Sequence, residues 1–104
     1  MAIVAISQFA EITTPATLAE VGAVMAADAK ISVYVVNKTA ASGTFSLAIS
    51  PVTPTGGEYL YYNFPLKASG TFIASDLYVK SADKIWVSVS TAGWSSRVEG
   101  VTLA

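Results

Sequence analysis

The sequence predicts an all-β domain, and three observations carry that prediction. Of its 104 residues 53% are apolar, yet they are cut into short alternating runs, and an apolar residue at every second position is the mark of a strand with one buried face. The runs recur roughly every ten residues and close on Gly, Pro, Asn or Asp, the spacing of a sandwich or small barrel. Only six basic and seven acidic residues are present, where a solvated domain carries about a quarter of its residues as charges. The expected architecture is a single antiparallel β-sandwich, immunoglobulin-like or jelly-roll-like, of seven or eight short strands.

The first third of the chain is the hardest to assign. Residues 2–9 alternate weakly, as an edge strand or an extended arm would. Thr17-Leu18-Ala19-Glu20 has the spacing of a helix capping box, and the alanine-rich stretch after it has helical propensity. A lone helix would need a sheet face to cover, so a strand over about Ala19 to Met25 is preferred, turning at Ala26-Ala27-Asp28.

From there the alternation is clear. In KISVYVVN, Ile31, Val33 and Val35 share one face, with Ser32, Tyr34 and Val36 on the other. In TFSLAIS, Phe45, Leu47 and Ile49 oppose Thr44, Ser46, Ala48 and Ser50. A loop of about six residues separates the two runs, which predicts a hairpin. Pro51, Pro54 and Gly56-Gly57 then break the sheet, because proline lacks the ladder donor. In EYLYYNF the alternation puts Leu60, Tyr62 and Phe64 on one face and Tyr59, Tyr61 and Asn63 on the other, with burial expected for Tyr62 and Phe64. TFIASDLYVK changes phase at Ser75-Asp76, which predicts a bulge. After a turn at Ala82-Asp83, Ile85, Val87 and Val89 oppose Trp86, Ser88 and Ser90. Thr91-Ala92-Gly93 leads into a last strand from about Trp94 to Leu103. The domain organisation read from this is an N-terminal segment, 1–18, followed by a sandwich domain, 19–104.

Composition excludes several chemistries. With neither histidine nor cysteine, the chain has no thiolate, no disulfide and no imidazole base for a serine nucleophile. No serine–lysine spacing replaces it. Asp76 and Asp83 are the nearest thing to a paired carboxylate, but Asp in a turn ordinarily bonds its own backbone. The glycines do not form a phosphate loop, since no strand-to-helix transition follows them. No catalytic residue, metal ligand or cofactor site is therefore expected, and the chain reads as non-enzymatic. The charges are scattered singly, which argues against nucleic acid. No apolar run approaches the ~18 residues of a spanning helix, so no membrane segment is expected, and the start lacks the basic residues of a secretory signal.

What remains are apolar residues with no assigned core position. The N-terminal Ile3, Val4, Ile6 and Phe9 and the outward-reading Tyr59, Tyr61 and Trp86 are candidates for a protein interface. For Trp86 two readings stand, a partner or cover by the 51–58 loop. An aromatic set on a sheet also suits a carbohydrate platform.

From about Ala19 onward the order and spacing of ISVYVVNKTAASGTFSLAISP, EYLYYNFPL and GTFIASDLYVKSADKIWVSVSTAG, closed by WSSRVEGVTLA, resemble small virion proteins of tailed bacteriophages. The likeness is one of strands and turns and carries no catalytic site. It implies a structural component of the phage particle that assembles in multiple copies, on the capsid or on the neck, tail or fibre apparatus; of these, a small, cysteine-free and charge-poor module best suits a capsid decoration or cement protein bound to the major capsid protein. A neck, tail or fibre-anchoring protein is the runner-up, and a cell-surface glycan-binding module the reading from another class.

Overall fold

The computed structural model describes residues 5–102, which form eight strands and no helix. In chain order these are β1 (Ala5–Ile12), β2 (Ala19–Glu20), β3 (Ala29–Asn37), β4 (Gly43–Ser50), β5 (Tyr59–Leu66), β6 (Thr71–Val79), β7 (Lys84–Val89) and β8 (Trp94–Thr102). They build two four-stranded antiparallel sheets, β1-β8-β3-β6 and β2-β7-β4-β5. The chain is thus an all-β sandwich, as the alternation predicts.

The pairing is nested. β1 pairs with β8, β2 with β7, β3 with β6 and β4 with β5. It is a long antiparallel ribbon, doubled back at β4–β5 and wound into two layers that are closed by the β3–β8 and β4–β7 ladders. This is jelly-roll connectivity, and it decides between the two sandwich types that the sequence left open.

Nested pairing overturns the expected β3–β4 hairpin. Both strands bury an apolar face, but they do so from opposite sheets, so the link at 38–42 crosses the sandwich instead of turning within one sheet. Asn37 sets that crossing. Its side-chain amide donates to the carbonyls of Ala41 (2.9 Å), Leu66 (3.3 Å) and Lys67 (3.2 Å), and its Oδ1 accepts from the Thr39 amide (2.9 Å) and hydroxyl (2.7 Å). One buried side chain therefore ties the β3–β4 crossing to the β5–β6 crossing.

The core lies where the alternation puts it. Ile31, Val33 and Val35 from one sheet meet Phe45, Leu47, Ile85, Val87 and Val89 from the other, all buried, with Ile49 packed against them. Trp94 and Val98 of β8 and Val79 of β6 complete it. Near 19–25 the strand is shorter than expected. It stops after Glu20 because Gly22 takes φ +79, a conformation open to glycine. The segment still follows β7, with Val21 N–H donating to Ile85 O and Met25 N–H to Asp83 O, both at 2.8 Å.

Two strands carry bulges. In β6 the register steps from Ile31↔Leu77 to Val33↔Ala74, with Asp76 at φ 58, which is the expected break at Ser75-Asp76. In β5 the register slips twice against β4, with Asn63 at φ 48. Those slips rotate the aromatics away from simple alternation. Tyr61 turns inward with Phe64 against Phe45 and Phe72, its ring 4.8 Å from that of Phe72, whereas Tyr62 emerges 69% exposed.

β3 and β8 approach closely at Gly100. A Cβ there would collide with the Lys30 carbonyl oxygen and sit 2.7 Å from Ile31 Cα. Backbone on both sides leaves nothing flexible to yield, so Gly100→Ala is expected to cost about 2 kcal/mol as an overpacked contact. A urea melt should show a lower midpoint at an unchanged slope.

Candidate functional site

The structure disperses the sequence-predicted interface residues. Ile3 and Val4 lie outside the described residues. Ile6 points inward and packs partly buried against the core, while Phe9, on the opposite face of the same strand, is 74% exposed. Residues 5–12 pair with β8 along their whole length, from Ala5↔Val101 to Ile12↔Trp94. The N-terminal strand is therefore an edge of the sandwich rather than a segment lying apart from it.

Two of the aromatic expectations are corrected. Tyr61 is turned into the core by the β5 bulges and is not an outward residue. Trp86 does lie on the outer side of its sheet, as alternation requires, but it is only 7% exposed. Its indole N–H donates to the Ser50 carbonyl at 3.0 Å, where β4 enters the 51–58 loop, and Pro54 in that loop is itself buried. On the other side, β2 places Glu20 opposite Trp86, and Glu20 pairs with Lys84, whose ammonium sits 5.8 Å from the indole. The chain covers Trp86 with its own atoms, so of the two readings for this residue the self-covered one holds.

Apolar exposure is instead concentrated on the outer face of β1-β8-β3-β6. Cross-strand register places Phe9, Arg97, Tyr34 and Ile73 in one row spanning all four strands. A second row runs Ala5, Val101, Lys30, Tyr78 and a third Glu11, Ser95, Val36, Thr71. Phe9, Ile73 (50%), Tyr78 (56%) and Val101 (42%) are all exposed there. A shallow groove of about 510 Å³ runs over Phe9, Tyr34, Val36 and Arg97. The face has charges, but most are internally paired: Arg97 with Glu99, and Glu11 with Lys38. Tyr78 is held at one end by donating its hydroxyl to Asp28 at 2.9 Å. The Ser81 amide and the Tyr78 hydroxyl together hold the Asp28 carboxyl below the usual carboxylate range, and the same bond pushes the Tyr78 phenol up.

This face is only half legible in the sequence. Tyr34 and Val36 read as outward in the alternation, but the alignment of β1, β8, β3 and β6 into one surface depends on nonlocal pairing. No local signal joins Phe9 to Ile73.

The outer face of β2-β7-β4-β5 differs in character. A groove of about 500 Å³ is lined by Thr44, Ser46, Ser88 and Ser90, with Tyr59, Tyr62 and Asn63 at one side. Tyr59 and Tyr62 pack edge to face at 5.2 Å. Some hydroxyls are structural: Ser46 accepts the Asn63 amide at 3.0 Å, and Ser90 accepts the Thr44 amide at 2.9 Å. Among the described residues no group of three or more Asp and Glu side chains could hold a metal ion. Asp83 serves its turn, accepting the Lys80 amide at 3.0 Å. No helix among them is long and apolar enough to cross a membrane.

No family model, no curated protein and no solved structure matches this chain.

Proposed function

We propose that this chain is a non-enzymatic structural protein of a phage virion, a capsid decoration protein that docks on the shell through the outer face of β1-β8-β3-β6. The observation that carries the reading is the row Phe9–Arg97–Tyr34–Ile73 with its exposed apolar neighbours Tyr78 and Val101. An exposed apolar face most of whose charges are already paired within the chain is one that a protein partner can cover. The likeness of the strand and turn segments to small tailed-phage virion proteins adds the particle. The partner is then the major capsid protein. A decoration protein that binds only the assembled shell stabilises it by its binding free energy, and many copies on one lattice turn weak contacts into avidity. No nucleic acid, membrane or cofactor enters this role.

The experiment is to purify particles carrying Ile73→Asp. The substitution sits on the exposed face, so the domain folds, while the particles lose most copies of the chain and release their DNA at a lower temperature. Unchanged occupancy and heat resistance would sink the reading. Counting copies on the wild-type particle separates its two forms: occupancy across the head supports decoration, and a small ring at one vertex supports a neck, tail or fibre anchor.

The glycan reading keeps one specific observation, the hydroxyl-lined groove beside Tyr59 and Tyr62. Its residues change, since Tyr61 and Trp86 are taken up by the fold and Tyr62 becomes the stacking surface. Tyr62→Ala particles that assemble and resist heat normally yet fail to adsorb to cells would favour this reading over decoration.

A further inference from the structure

A β-sandwich exposes four edge strands, and an unguarded edge recruits another strand. Three edges of this molecule are guarded. β6 is broken by the bulge at Ser75-Asp76, with Asp76 at φ 58; β5 slips register twice and carries Pro65, which has no N–H; and β2 is two residues long. The fourth, β1, holds an unbroken register of eight residues against β8 and contains no proline, glycine, lysine or bulge. Its other edge pairs with no strand among the described residues.

We infer that β1 pairs antiparallel with β1 of a second copy of this chain, on a twofold axis that passes through Phe9. A twofold axis normal to the sheet keeps outer faces together, so odd-numbered residues must oppose odd and even oppose even. Two registers then use most of the strand. An axis through Gln8 pairs residues 5–11 and sets Phe9 against the partner's Ser7. An axis through Phe9 pairs residues 6–12, setting Phe9 against the partner's Phe9 on the outer face and Ile6 against the partner's Ile12 on the inner one. The second register joins aromatic to aromatic on the exposed face, a cross-strand pair that stabilises sheets, where the first sets Phe9 against a serine. A second copy fits this edge because both partners bring the same unguarded backbone and self-complementary side chains. The two outer faces become one continuous eight-stranded surface.

The chain has no cysteine, so a single introduced thiol reports the axis. In the Phe9→Cys variant the two thiols face each other at the cross-strand spacing of ~4.5–5.5 Å, within disulfide reach. In Ser7→Cys and Glu11→Cys each thiol lies about four residues, ~13 Å, from its twin, beyond that reach. All three positions are exposed, so the variants fold. Mild oxidation of the purified chain should give a covalent dimer at least about 10-fold faster with Cys at 9 than at 7 or 11, and the wild type should sediment as a concentration-dependent dimer that Phe9→Lys dissociates. Equal cross-linking at the three positions, or a wild type that stays monomeric at millimolar concentration, overturns the inference. Both measurements use the isolated chain, so they succeed or fail independently of any result on particles.

Discussion

Asn37→Ala is expected to destabilise the domain by about 3 kcal/mol, a large share of the 5–15 kcal/mol that holds a domain of this size together. Asn37 is fully buried, and its amide serves three carbonyls on two separate crossings while its oxygen serves Thr39. Alanine strips those part-buried partners at once, and polar groups left unpaired cost about 1–3 kcal/mol each when buried. Asn37→Asp should be worse despite its matching shape, because it aims a carboxylate at the carbonyls of Ala41, Leu66 and Lys67. Thr39→Val removes only the local bonds and should cost about 1 kcal/mol. Urea unfolding measures all three. A loss for Asn37→Ala below that of Thr39→Val would mean that the two crossings hold each other in some other way.

The second large effect is expected at Trp94, the largest side chain buried without residual exposure. It starts β8, sits opposite both Ile12 and Asn37 in the ladders, lies 6.3 Å from the Phe45 ring, and donates its indole N–H to the Thr91 hydroxyl at 3.2 Å. Trp94→Ala should cost about 3–5 kcal/mol, seen calorimetrically as a fall of roughly 15 °C or more in Tm. Trp86→Ala is expected to cost less, about 2 kcal/mol, because that indole packs at the outer side of its sheet and water can fill part of the space it leaves. If the two substitutions proved equal, the outer cover over Trp86 would have to be as tightly packed as the core.

The two tryptophans also show what alternation can and cannot convey. Side-chain period places Ile31, Val33, Val35, Phe45, Leu47, Ile85, Val87 and Val89 inside, and they are inside, because that property is local to each strand. The Ser75-Asp76 phase change announces its bulge for the same reason. Trp86 reads as outward and is outward, but whether an outward residue is covered depends on what lies above it, and β2 is set beside it by distant pairing with β7. Tyr61 faces inward and Tyr62 outward because the β5 bulges break the alternation at Tyr62-Asn63, inside an aromatic run whose sequence shows no such break. The β3–β4 hairpin fails most instructively. Two apolar-faced strands joined by a short loop can lie side by side or face to face, and what decides is nonlocal: the pairing of β3 with β6 and β8 and of β4 with β5 and β7, held at the crossing by Asn37 with its partners at 66 and 67. The candidate interface was legible in the same measure. Phe9 stands out as an apolar residue in an edge-like strand, whereas its row partners Arg97 and Ile73 become neighbours only when β8 and β3 lie between the two edges.

The position of β8 has a consequence for how the chain is made. β8 is the last of the eight described strands in chain order, yet it lies between β1 and β3 in its sheet, so until β8 emerges β1 lacks its ladder partner and β3 has only β6. The nascent chain must hold apolar strands with open backbone edges until Trp94–Thr102 appears, which is the condition under which chaperones bind and unfinished chains coalesce. A message truncated shortly before Trp94 would thus yield not a slightly smaller domain but an unpaired one, and the emergence of β8 becomes the moment at which the domain can first fold.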